Sequence, residues 1–192
     1  LNYLDNVFTA EERPAYLVIY PSLPRTPLGK VDYQTLDDLA NNIDCEVIEL
    51  EKNNIKMWIR PETTGKASQW GEYEEIIRLS KEFEQVLPCI DFSHIHARTA
   101  GEYNTYDEFC KVLDRIGTEL GTFALENFHA HLAGIEYTKK GEKCHLILED
   151  SDMNYKDLLK ALKEFDVKGA LVCESPNIET DTKILKEYYE SL

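Results

Sequence analysis

Short apolar runs alternate along this chain with longer stretches of helical periodicity, and that alternation limits the fold more than any other feature. The runs are YLVIYP (16–21), IKMWIRP (55–61), VLPCIDF (86–92), FHAHLAG (128–134) and GALVCES (169–175). Apart from Lys56, Arg60, the two histidines of FHAHLAG and the polar strand ends, they are continuously apolar rather than alternating, which predicts strands covered on both faces. Between them, Phe109, Val112, Leu113, Ile116 and Leu120 recur at helical spacing behind a Thr105–Glu108 capping box, and Gly121 supplies the stop. A second helix runs from Asn154 through Leu158, Leu159, Leu162 and Phe165, and weaker helical periods cover 34–52, 72–85 and 180–191. Strands alternating with helices predict parallel β–α units, hence an α/β fold.

In folds of this kind the chemistry collects at the carboxyl ends of the strands. Glu62 follows the second run, Asp91 closes the third, His131 lies near the end of the fourth and Glu174 ends the fifth. Any one strand-end carboxylate is more often a helix cap or a solvated rim residue than a ligand. Recurrence at equivalent points of four units favours a metal site. Mixed nitrogen and oxygen donors suit Zn²⁺, with Mn²⁺ or Fe²⁺ as alternatives, better than Ca²⁺ or Mg²⁺. The five histidines (His94, His96, His129, His131, His145) all lie between residues 94 and 145. On a strand, His129 and His131 would share a face, whereas His94 and His96 are expected on a loop.

The 192 residues, 43% apolar and 30% charged, fit a single globular domain spanning 1–192. There is neither an 18-residue apolar run nor a signal-peptide pattern, so the sequence supports no membrane partner. Five cysteines without CxxC spacing predict reduced thiols in a cytoplasm, with Cys89 and Cys173 as core packing. A net charge of −15 disfavours a nucleic-acid partner. That penalty softens where carboxylates surround divalent cations, the largest local charges in such a site.

The runs RPETTGKASQWG, LPCIDFSHIHART, HAHLAGIEYTKKGEKCHLILED and LVCESPN, in this order across roughly residues 55–192, resemble the endonuclease IV family of apurinic/apyrimidinic (AP) endonucleases, most closely its archaeal members. The resemblance implies a TIM-type (β/α) barrel that binds three metals, usually zinc, and hydrolyses DNA at abasic sites. It implies that Glu62 is a bridging, catalytic glutamate and that Asp91 and His94 form an Asp-x-x-His pair serving different metals. His131 and Glu174 then match further ligands, and His145 matches the histidine of an Asp-Arg-His triplet. Where that triplet has aspartate this chain has Lys143, with Glu142 one residue too early, and Tyr20 stands where a family histidine precedes proline. His96 and His129 match no ligand. The expectation is one well-made site at Glu62, Asp91, His131 and Glu174, and a weaker second one at His94 and His145.

About five β–α units are visible, fewer than the eight of a closed barrel, which takes about 250 residues. With Leu1 in place of methionine, an incomplete barrel lacking N-terminal units is expected. Two other readings stay open. One is a xylose-isomerase-like sugar isomerase or epimerase, using a single metal on a small polyol and needing no basic surface. The other is a degenerate, non-catalytic barrel fragment.

Overall fold

The computed structural model of the protein describes residues 58–192. Its elements in chain order are α1 (Tyr73–Glu82), β1 (Cys89–Asp91), α2 (Phe92–Arg98), α3 (Tyr106–Leu120), α4 (Thr122–Glu126), β2 (Phe128–Leu132), β3 (Gly134–Thr138), β4 (Gly141–Leu146), α5 (Tyr155–Glu164), β5 (Gly169–Cys173) and α6 (Ile178–Ser191). The expected strand at 16–21 with Tyr20, the helix over 34–52, and residues 55–57 lie outside the described residues.

Strands β1, β2 and β5 form a parallel sheet in that order, with Asp91 opposite His131 and Leu132 opposite Cys173. The segment after Trp58 runs parallel along the other side of β1, through bridges Ile59–Val86 and Glu62–Cys89. The Cys89 N–H donates to the Pro61 carbonyl at 2.9 Å, and the Thr63 N–H to the Cys89 carbonyl at 3.1 Å. Four successive segments thus lie side by side in chain order, joined by helical crossovers, as in the wall of a (β/α) barrel. Side-by-side pairing brings the ends of the four segments to one rim.

Helix α3 shows how local chemistry and packing cooperate. Glu108 Oε2 accepts the Thr105 N–H at 3.0 Å, closing the start, and Gly121 ends the helix with a φ of 78° that favours glycine. Its apolar stripe of Phe109, Val112, Leu113 and Ile116 is wholly buried. There it joins a core of Phe92, Leu132, Leu158 and Leu159. The Phe92 and Phe109 rings meet edge to face with centroids 5.8 Å apart. Helix α5 starts as expected, with the Asn154 side chain accepting the Asp157 N–H at 3.2 Å.

Two expectations are corrected. The apolar run 86–92 does not lead into a loop: Asp91 Oδ1 accepts the His94 N–H at 2.7 Å and caps α2, so His94 and His96 are helical. The run 128–134 ends as a parallel strand at Leu132, and Gly134 opens an antiparallel hairpin, β3–β4, that apolar patterning did not reveal. Among the described residues no helix is long and apolar enough to cross a membrane, and Cys89, Cys110, Cys144 and Cys173 are free thiols.

Candidate metal centre

At the rim, Glu62, Asp91, His131 and Glu174 each offer a ligand atom, all within 4.8 Å of one another. His131 Nδ1 lies 3.2 Å from both Glu62 Oε1 and Glu174 Oε1. Asp91 is completely buried, and its Oδ2, left over once Oδ1 has capped α2, has no hydrogen-bond partner among the described residues. Among the described residues His131 Nδ1 is likewise buried without a well-formed hydrogen bond, although two carboxylates stand 3.2 Å from it. A buried carboxylate oxygen and an imidazole nitrogen without partners are costly unless something between them binds both. A divalent cation meets that need, so the residues fit a metal.

A second cluster adjoins the first and shares Asp91 with it: Asp91, His94 and His145. Backbone carbonyls set the tautomers here. His94 Nδ1 donates to the Thr63 carbonyl at 2.9 Å, and His145 Nδ1 donates to the Glu174 carbonyl at 3.1 Å. Both Nε2 atoms are thereby aimed at each other, 3.4 Å apart. Two imidazole lone pairs so placed repel unless a proton or a cation lies between them.

Glu142, set aside by sequence reasoning, completes this cluster. Its carboxylate lies 3.6 Å from His94 Nε2 and 4.0 Å from His145 Nε2. On a regular strand, residues three apart face opposite ways. The hairpin pairs Tyr137 with Glu142 but Glu136 with Cys144, which leaves Lys143 as the extra residue of a β-bulge. The bulge returns Glu142 to the face that carries His145, and Lys143 turns outward to Glu136 at 2.6 Å. Gly65 makes room: a Cβ there would collide with the Glu142 side chain. The Glu142 N–H donates to the Gly65 carbonyl at 2.8 Å. Arg98 holds the same loop through the Thr64 hydroxyl (3.0 Å) and the Gln69 carbonyl (2.9 Å).

Opposed charges set the protonation of the centre. Burial pushes the Glu62 carboxyl up, but the imidazoles of His131 and His94 outweigh it and hold the group at about 2. Burial works against charge on His94 too, yet Asp91, Glu62 and Glu142 raise it to about 10. His131 is raised against its burial by Glu62, Glu174 and Asp91, while Glu174 is raised by burial and by the charges of Asp91 and Glu62.

The remaining polar side chains divide clearly. His96 is fully buried and structural: Nδ1 donates to the Glu102 carbonyl at 2.8 Å, and Nε2 meets Asp152 at 3.1 Å. His129 and Cys89 sit one layer beneath the rim, paired in register, and with His131 form a third group of close ligand types. Burial, reinforced by Glu62, Asp91 and Glu174, drives the Cys89 thiol far above its usual range, so it packs as a neutral side chain. Cys173 is buried as core, as expected.

A family model described as a xylose isomerase-like TIM barrel matches residues 12–192. An uncharacterized protein of Methanocaldococcus jannaschii is 46% identical over 158 residues, which cover 82% of this chain. The chain spans 58% of the length of that curated relative. AP endonucleases and sugar isomerases both occur in this superfamily. Parallel segments laid side by side in chain order, polar side chains gathered at their carboxyl ends, and a family match over almost the whole sequence agree: the chain belongs to the xylose isomerase-like TIM barrel family.

Proposed function

We propose that this chain carries the metal centre of a divalent-metal-dependent phosphodiester hydrolase of the endonuclease IV type, acting on DNA at abasic sites. The observation that carries this reading is the second cluster. His94 Nε2, His145 Nε2 and Glu142 converge beside Glu62, Asp91, His131 and Glu174. A single-metal isomerase has no use for it. Zn²⁺ suits both donor sets best, with Mn²⁺ or Fe²⁺ next. Ions held there supply Lewis-acid activation of water and neutralise charge on the attacked phosphate.

The protein's own groups have distinct parts in this reading. Glu62 stands 3.3 Å from His94 and 3.2 Å from His131, between the clusters, and its low pKa keeps it ionised at neutral pH. It is the group we assign to hold the attacking water, as a hydrogen-bond acceptor and a poor store for a proton. Asp91, His131 and Glu174 complete one donor set, while His94, His145 and Glu142 complete the other. Tautomers fixed by Thr63 and Glu174 carbonyls mean that His94 and His145 need no reorganisation to present Nε2.

The net charge of −15 favours the second reading, a sugar isomerase or epimerase acting on an uncharged polyol. One experiment separates the two. The purified protein is analysed for bound metal, then offered an abasic-site duplex and a panel of aldoses, with and without chelator. Two ions per chain and chelator-sensitive strand cleavage support the hydrolase. One ion per chain with aldose–ketose conversion and intact DNA would overturn it.

A further inference from the structure

The histidines of the centre are not all oriented in the same way. His94 and His145 each commit Nδ1–H to a backbone carbonyl, which leaves Nε2 free. His131 is reversed: its Nδ1 faces Glu62 and Glu174, so Nε2 must carry the proton if Nδ1 is to bind an ion. Among the described residues no carbonyl is hydrogen-bonded to that Nε2. What meets it, at 3.1 Å, is His129 Nε2. The two rings stand edge to face with centroids 5.1 Å apart, on the same side of β2 with one residue between them. Two facing imidazole nitrogens make a hydrogen bond only if one is protonated and the other is not.

We infer that His129 is a positioning residue: its Nε2 accepts the His131 Nε2–H, fixing the tautomer and ring orientation that leave His131 Nδ1 free for a divalent cation. His129 thus does for His131 what the Thr63 and Glu174 carbonyls do for His94 and His145. The sequence offered no role for it, since a histidine two residues before a strand-end ligand reads as core. The inference rests on the metal-binding reading above and adds the element that orients its one reversed imidazole. Groups that hold the second nitrogen of a metal-bound histidine are worth about 10- to 100-fold in affinity.

The test uses zinc and three forms of the protein: wild type, H129F, which keeps a ring but has no acceptor, and H129Q, whose amide oxygen can accept the same N–H. Zinc affinity is measured by competition with a chromophoric chelator. Long-range ¹H–¹⁵N spectra of histidine-labelled, zinc-loaded wild type report which His131 nitrogen carries the proton. We expect the proton on Nε2 and zinc on Nδ1. Affinity should fall about 10- to 100-fold in H129F and recover to within about threefold of wild type in H129Q. A proton on His131 Nδ1, H129F binding zinc as tightly as wild type, or H129Q as weak as H129F would each overturn the inference. If H129F does not fold, the wild-type spectrum and H129Q still decide. If the wild type takes up no zinc, the reading of the centre itself fails.

Discussion

The two clusters of the candidate centre are built by different means. The first takes one side chain from each of four parallel segments, and hydrogen-bonded register alone aligns Asp91 with His131 and Glu62 with Cys89. The second takes His94 from a short helix and Glu142 and His145 from an antiparallel hairpin that leaves the barrel wall. A bulge, a glycine and two backbone carbonyls are all needed to close it. A site placed by the sheet therefore tolerates local change, whereas one placed by a hairpin depends on several local details at once.

The largest effect is expected where the clusters meet. Asp91→Ala removes a ligand from both and uncaps α2, so metal content should fall to near zero and stability by about 1 kcal/mol. Asp91→Asn keeps an oxygen for the cap but not the charge. It should lose metal while melting close to wild type, and metal analysis with thermal denaturation separates the two variants. Equal metal loss from both clusters would confirm Asp91 as their common member.

Next come changes confined to the hairpin side. Glu142→Gln should cost one ion per chain and leave the other, and Gly65→Ala should do the same by pushing Glu142 aside. If either variant kept two ions, the bulge would not be the element that makes the second cluster.

A smaller, graded effect follows from protonation. Glu62 is lowered from 4.5 to about 2, so its stabilising contribution is complete above 4.5 and is lost as pH falls towards 2. His94 is raised from 6.5 to about 10, so its contribution is complete below 6.5 and is lost as pH rises through 10. The metal-free protein should thus be most stable between pH 4.5 and 6.5 in denaturation midpoints. Metal binding must displace the His94 proton, so apparent affinity should rise with pH up to about 10, with proton release measurable by calorimetry in buffers of different ionisation enthalpy. The smallest effect is expected at Lys143→Ala. Its side chain pairs with Glu136 at the exposed surface, and neither metal content nor melting should change measurably.

Much of the wall was legible in the sequence. Apolar runs identify β1, β2 and β5, and a strand's polar terminus is where a side chain emerges at the rim, which singles out Glu62, Asp91, His131 and Glu174 from the sequence. Helix α3 was readable from both ends because its capping box and glycine stop are local interactions. The β3–β4 hairpin was not, since GIEYT alternates over only four residues, the bulge interrupts the period of GEKCHL, and the two lysines that join them are not a typical turn pair. Nor was the start of α2 within a run that reads as strand. The helix begins because Asp91 turns back on the His94 N–H, a choice between two local partners that patterning cannot rank.

What the sequence by itself determined is the order of apolar and amphipathic segments, and with it a parallel α/β wall with polar strand ends. These follow from periodicity and burial, properties that neighbouring residues settle among themselves. Only the tertiary structure decided that Glu142 rather than Lys143 faces His94 and His145, because one unpaired residue in a hairpin reverses which face every later side chain occupies. It alone set His129 against the back of His131, since the tautomer of an imidazole depends on which atom lies at hydrogen-bond distance from its second nitrogen.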